Sequence, residues 1–186
     1  MSKIGVFLDR DDTVIKDKVY LRDPGEVEIL PGVPGAIKQL NNKVIPVIIV
    51  SNQSGIARGY LDEERLAQIH DRLLSTLARQ GATIDGVYYC PHHPEGVVEA
   101  YSRECECRKP SPGMLYKAAR DFGLDLGKCY MVGDKSIDVE TIHRVGGKGI
   151  IIGKGNSYSI ITEYIAKDLM DAVRWILKDI DPSKAD

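Results

Sequence analysis

The chain has 186 residues, of which 28% are charged, and a formal net charge of −2. That length supports one well-cored domain spanning 1–186 and is short for two, while near-balanced charge gives no field to draw in nucleic acid or an anionic membrane surface. No stretch approaches the ~18 apolar residues of a membrane span, and Met1-Ser2-Lys3-Ile4 runs into an apolar segment without the long core and cleavage site of a signal peptide. No membrane or nucleic-acid partner is therefore expected. Three of the four cysteines crowd around a histidine in a chain with no export signal, which predicts the cytoplasm, and the lack of an exposed apolar stripe predicts a monomer.

Short apolar runs predict strands at 4–8, 44–50, 86–89, 129–132 and 149–152. Helical segments lie between and after them. Pro31-Gly32 introduces a helix over 33–42. The next begins at Asp62, a good N-cap, puts Leu66, Ile69, Leu73, Leu74 and Leu77 on one face, and stops at Gly81. Further helices are predicted at 113–122, 136–145 and 167–178, with a frayed polar tail from Asp179 to Asp186. Strand and helix alternate, which predicts an α/β fold with a mostly parallel sheet covered on both faces. Segment 90–112 has neither periodicity and is too long for an ordinary connector. It needs a staple.

Four polar elements sit at or near the predicted carboxyl ends of strands, where open α/β sheets gather ligands. They are Asp9-Arg10-Asp11-Asp12-Thr13, Ser51-Asn52-Gln53-Ser54-Gly55, Arg108-Lys109-Pro110 and Gly133-Asp134-Lys135-Ser136-Ile137-Asp138. An aspartate after a strand is, taken alone, more often a cap or turn residue. In this order, however, the four resemble the motifs of the haloacid dehalogenase superfamily of phosphohydrolases over residues 4–153. The resemblance implies a Rossmann-like three-layer sandwich and a catalytic set of Asp9, Asp11, Ser51 and Lys109. Asp9 would be the nucleophile and Asp11 the acid/base. Ser51 and Lys109 would bind the phosphoryl oxygens, with Asp138 buttressing Lys109 or metal-bound waters. Mg²⁺ suits the oxygen ligands on offer, the Asp9 and Asp134 carboxylates and the Asp11 carbonyl.

The second cluster is Cys90-Pro91-His92, twelve intervening residues, then Cys105-Glu106-Cys107. Three thiolates and one imidazole form a closed set for structural Zn²⁺. His93 is an alternative to His92. Cys129, in an apolar run, fits a plain buried cysteine, and His70 and His143 fall in predicted helices as surface or packing residues. Within the superfamily such a loop resembles two groups without a large cap domain, the histidinol-phosphate phosphatases and the heptose-bisphosphate phosphatases. The runs 51–59, 88–96, 107–110 and 131–135 are more similar to the second. That implies a small phosphorylated sugar as substrate, with binding roles for Arg10, Asp17, Lys18, Val19, Tyr20, Asn52, Gln53, Ser54, Arg108 and Lys135. Alternatives are a histidinol-phosphate or broad small-phosphate phosphatase, or a catalytically impaired zinc-stapled binding module. One position departs from the superfamily pattern: Asp12 stands where glycine is usual. Because it adds negative charge beside a phosphate site, Asp12→Gly is expected from sequence to raise kcat/KM.

Overall fold

The structure is a computed structural model that describes residues 3–153 and 161–182. Six strands, β1 (Val6–Leu8), β2 (Val47–Asn52), β3 (Gly86–Cys90), β4 (Tyr130–Gly133), β5 (Lys148–Ile152) and β6 (Tyr164–Ala166), form one sheet in the order β3-β2-β1-β4-β5-β6. Every pairing is parallel, with Leu8 opposite Ile49 on one side and Val132 on the other. The helices are α1 (Val33–Asn42), α2 (Glu63–Arg79), α3 (Gly113–Phe122), α4 (Ser136–His143) and α5 (Leu169–Ile180).

Successive side chains of a strand point to opposite faces, and the core divides accordingly. Val6 and Leu8 join Val47, Ile49 and Val132 in a cluster with Ile37 and Leu40 of α1, Leu73 and Leu77 of α2 and Val173 and Ile176 of α5. Phe7 faces the other way, with Ile48, Val50 and Met131, against Met114, Leu115 and Ala118 of α3 and Ile142 of α4. Three helices cover one face and two the other, the expected α/β sandwich.

Several boundaries differ from the sequence expectation. The strand predicted at 44–50 starts at Val47, because Val44 turns the chain at φ 56° with 89% exposure and Pro46 cannot donate to a ladder. It runs on to Asn52, placing Ser51 and Asn52 opposite Tyr89 and Cys90. β6 has only three residues, too few to show alternation. The predicted frayed tail begins too early: α5 continues to Ile180, and Asp179 accepts hydrogen bonds from Tyr130 Oη and Lys148 Nζ, each at 2.6 Å. Residues 183–186 of that tail lie outside the described residues.

Candidate active site

The strand order reverses direction of growth between β1 and β4, and in such sheets the crevice beyond the strand ends at that point is the natural ligand site. Asp9 directly follows β1 there, and its amide donates to Val132 O at 2.9 Å, extending the ladder one residue. Its carboxylate is held at the cleft floor. Gly133 ends β4 beside the Asp138 carboxylate; a Cβ at Gly133 would collide with that side chain, so only glycine permits the approach.

Lys109 reaches this floor from the long loop. Its Nζ donates to Asp9 Oδ1 at 2.8 Å, Asp138 Oδ1 at 2.6 Å and Val50 O at 3.0 Å. Burial alone would lower its pKa, but the Asp138 and Asp9 carboxylates outweigh that and raise it, so the lysine is a fixed cation. Burial pushes Asp138 up, opposed by Lys109. Asn52 grips the Lys109 backbone from both sides, accepting from its N–H at 3.0 Å and donating to its C=O at 3.1 Å. Although Asn52 lines the cleft, its amide is engaged by the chain itself.

Asp11 is clasped by its neighbour. Arg10 donates from Nη2 to both carboxylate oxygens at 3.0 Å and from Nε at 3.2 Å, and Gln53 Nε2 donates to Asp11 Oδ2 at 3.1 Å and Ser51 Oγ at 2.7 Å. Arg10 is itself buried, with Nη1 3.5 Å from His70 Nε2. Neither this backing by His70 nor the bridge through Gln53 is visible in sequence, since 60 residues separate Arg10 from His70. His70 is a buried packing residue, the second of its two expected places.

Two adjoining hollows open above these groups. One, of about 230 Å³, is lined by Asp9, Asp11, Ser51, Asn52, Ser54, Arg108, Lys109, Lys135, Ile137 and Asp138. The other, of about 260 Å³, leads away past Arg10, Asp17, Val19, Tyr20, Gln53 and Gly55. Of the residues expected to bind substrate, Lys18 alone lines neither; its Nζ turns to Glu28 at 3.2 Å.

Carboxylate oxygens of Asp9, Asp134 and Asp138 lie within 4.8 Å of one another. Asp138 is engaged by Lys109 and by the Lys135 amide at 3.2 Å, and with Asp9 it lines the inner hollow. Burial raises the Asp134 pKa, offset by Lys135 and reinforced by Asp9. Crowded carboxylate oxygens of this kind fit a hard divalent cation.

At the mouth of β3, Cys90, Cys105 and Cys107 place their sulfurs 3.2–3.4 Å apart, and His92 Nδ1 sits 3.4 Å from Cys107 Sγ and 3.7 Å from Cys90 Sγ. A tetrahedral site with Zn–S bonds of ~2.3 Å has edges of ~3.8 Å, about half an ångström wider than these, and the donor set of three thiols and one imidazole fits zinc in kind. All three cysteines are free thiols. Burial, and then the Arg103 guanidinium, lower the His92 pKa, keeping the ring in the neutral form that ligates metal. His93 instead accepts from Glu95 N at 3.1 Å and faces Arg58. The loop also orients a cleft residue, since Arg108 Nη1 donates to His92 O at 3.1 Å.

A hydrolase family model described as HAD-hydrolase-like matches residues 106–173. The chain is 37% identical over 94% of both chains to the D-glycero-beta-D-manno-heptose-1,7-bisphosphate 7-phosphatase of Photorhabdus laumondii. It is 42% identical to the enzyme of that name from Yersinia pestis, over 73% of this chain and 72% of that one. Among solved structures, the D,D-heptose 1,7-bisphosphate phosphatase of B. bronchiseptica, complexed with magnesium and phosphate, aligns at TM-score 0.83 and 32% identity over 96% of this chain and 99% of that one. With its six-stranded parallel sheet and the likeness spanning nearly its whole length, the chain is a phosphatase and belongs to the heptose-bisphosphate phosphatase family of the haloacid dehalogenase-like hydrolases.

Proposed function

We propose that the protein removes the 7-phosphate of D-glycero-D-manno-heptose 1,7-bisphosphate, giving heptose 1-phosphate for nucleotide-activated heptose in surface polysaccharide synthesis. The observation that carries this reading is the paired hollow. A phosphoryl group placed over Asp9 meets Ser51 and Lys109, while the adjoining space past Asp17, Val19 and Tyr20 has room for the sugar. Full-length similarity to enzymes named for this substrate supports the choice.

In the proposed reaction an Asp9 carboxylate oxygen attacks phosphorus and the bond from phosphorus to the sugar oxygen breaks. Asp11 gives its proton to the departing oxygen. Water then attacks the aspartyl-phosphate, passing a proton back to Asp11 and releasing phosphate and the Asp9 carboxylate. Lys109 holds Asp9 in place and neutralises phosphoryl charge without having to reorganise, because Asp138 and Val50 O already orient it. Asp9, Asp134 and the Asp11 carbonyl would hold Mg²⁺, which supplies charge neutralisation between carboxylate and phosphate. Cys90, His92, Cys105 and Cys107 would hold a structural Zn²⁺ with no open position. Arg108, anchored on that loop, is placed to read a distal phosphate or the sugar through its planar fork. The working protein would be a single cytoplasmic domain.

The test is phosphate release from heptose 1,7-bisphosphate, fructose 1,6-bisphosphate and histidinol phosphate, with Mg²⁺ present or chelated. The heptose substrate should give the highest kcat/KM, chelation should abolish turnover, and Asp9→Asn should be inactive. A higher kcat/KM on either other substrate would overturn the substrate assignment, and activity surviving in Asp9→Asn would overturn the nucleophile.

A further inference from the structure

Asp12 was singled out by its sequence as an anomaly, and its surroundings give it a task. Its backbone lies in the left-handed region at φ 52°, a conformation that aspartate and asparagine tolerate better than most residues other than glycine. The turn is closed by Asp12 N donating to Ile15 O at 2.7 Å. The side chain points along the chain, and Oδ1 accepts from Asp17 N at 2.9 Å. Asp17 Oδ1 in turn accepts from Val19 N at 2.9 Å. Two carboxylates in series thus pin the segment that follows.

That segment needs pinning. Val19 and Tyr20 are consecutive non-glycine residues at φ 49° and 68°, and a β-branched residue holds such a conformation only where its neighbours enforce it. From there Tyr20 packs its ring on Tyr60 with centroids 4.6 Å apart, and Asp17, Val19 and Tyr20 form one wall of the outer hollow. Nothing else among the described hydrogen bonds ties the Asp17 amide down.

We infer that Asp12 is a positioning residue for substrate specificity: its carboxylate holds the 17–20 wall in the shape that accepts the sugar, and so acts on the sugar end of the substrate, not on phosphoryl transfer. This rests on the reading of the outer hollow as the sugar site. It reverses the sign of the expectation drawn from sequence. Glycine at this position keeps the backbone turn but removes the tether, whereas asparagine keeps both the turn and an Oδ1 acceptor and removes only the charge.

The experiment compares Asp12→Gly and Asp12→Asn with the parent protein by hydrogen exchange over 16–21 and by steady-state kinetics on heptose 1,7-bisphosphate and on p-nitrophenyl phosphate, a probe without a sugar. Asp12→Gly should speed exchange in that segment and raise KM for the sugar bisphosphate about fivefold, the factor expected for one hydrogen bond. Its kcat, and its KM for p-nitrophenyl phosphate, should stay within about twofold. Asp12→Asn should behave as the parent in exchange and KM. Unchanged exchange in Asp12→Gly, an unchanged or lower KM for the sugar substrate, or equal effects of the two substitutions would each overturn the inference. If the parent protein does not hydrolyse the heptose substrate, the proposed function falls. The exchange comparison still decides the tether.

Discussion

His70 shows how one buried side chain couples the cleft to stability. It is 7% exposed on α2, faces Arg10 across 3.5 Å and lies 5.7 Å from the Tyr89 ring, centroid to centroid. Burial, and after it the Arg10 guanidinium, lower its pKa from 6.5 to about 3. In the folded chain it therefore stays neutral where the unfolded chain would already be protonated. Its contribution is fully present above pH 6.5 and is lost as pH falls from there toward 3, because the unfolded state takes up a proton that the native state refuses. Thermal melts of the parent and of His70→Gln should diverge accordingly, the parent losing more Tm between about pH 7 and pH 4. Parallel curves would show that His70 is not the group responsible. The substitution should also loosen Arg10, whose fork otherwise holds the Asp11 carboxylate.

At the scale of elements, the loop from Cys90 to Lys109 is the piece that secondary-structure patterning could not describe and metal-ligand spacing could. It leaves β3 at Cys90, returns at Cys107 and delivers Arg108 and Lys109 to the cleft two residues later. Its path is held by the Cys/His cluster, by Val97 N and Val98 N donating to Ala57 O at 2.8 and 2.9 Å, and by Asn52 gripping the Lys109 backbone. Under the proposed zinc assignment, stripping zinc and then restoring Mg²⁺ should raise KM more than it lowers kcat, since Lys109 retains its Asp9, Asp138 and Val50 partners while Arg108 loses its anchor. Cys105→Ser should act in the same direction. An apo-protein with unaltered steady-state kinetics would refute this role for the loop. Helix α2 was legible from sequence because its apolar positions recur with helical period between a capping aspartate and Gly81. β6 was not, since three residues on a sheet edge carry no period.

At the scale of the molecule, one sheet supports both the core and the chemistry. Leu8, buried in the core beneath α1, α2 and α5, immediately precedes Asp9 at the cleft, so packing sets where the carboxylate stands. Leu73 on α2 is fully buried in the same cluster. Leu73→Ala should cost about 2–5 kcal/mol of unfolding free energy, seen as a lower denaturant midpoint, with KM unchanged under conditions where the variant remains folded. A loss of less than about 0.5 kcal/mol, typical of surface substitutions, would mean that α2 does not pack as described.

The alternation of apolar runs with amphipathic helices was enough by itself to specify an α/β chain with a parallel sheet, because each element's period is set by which face must leave water. Motif order was enough to bring Asp9, Ser51, Lys109 and Asp134 under suspicion, and Cys/His spacing to mark the loop. Only the tertiary structure decided which partners these groups have. That Lys109 spans Asp9 and Asp138, that Asn52 and Gln53 spend their amides on Lys109 and on Ser51 and Asp11, and that Lys18 turns outward are facts of three-dimensional geometry. The same holds for Asp12: its charge, read along the chain, predicted interference with phosphate, while its Oδ1 in space is directed to the Asp17 amide. A hydrogen bond depends on distance and direction, and the sequence alone leaves both undetermined until the fold has closed.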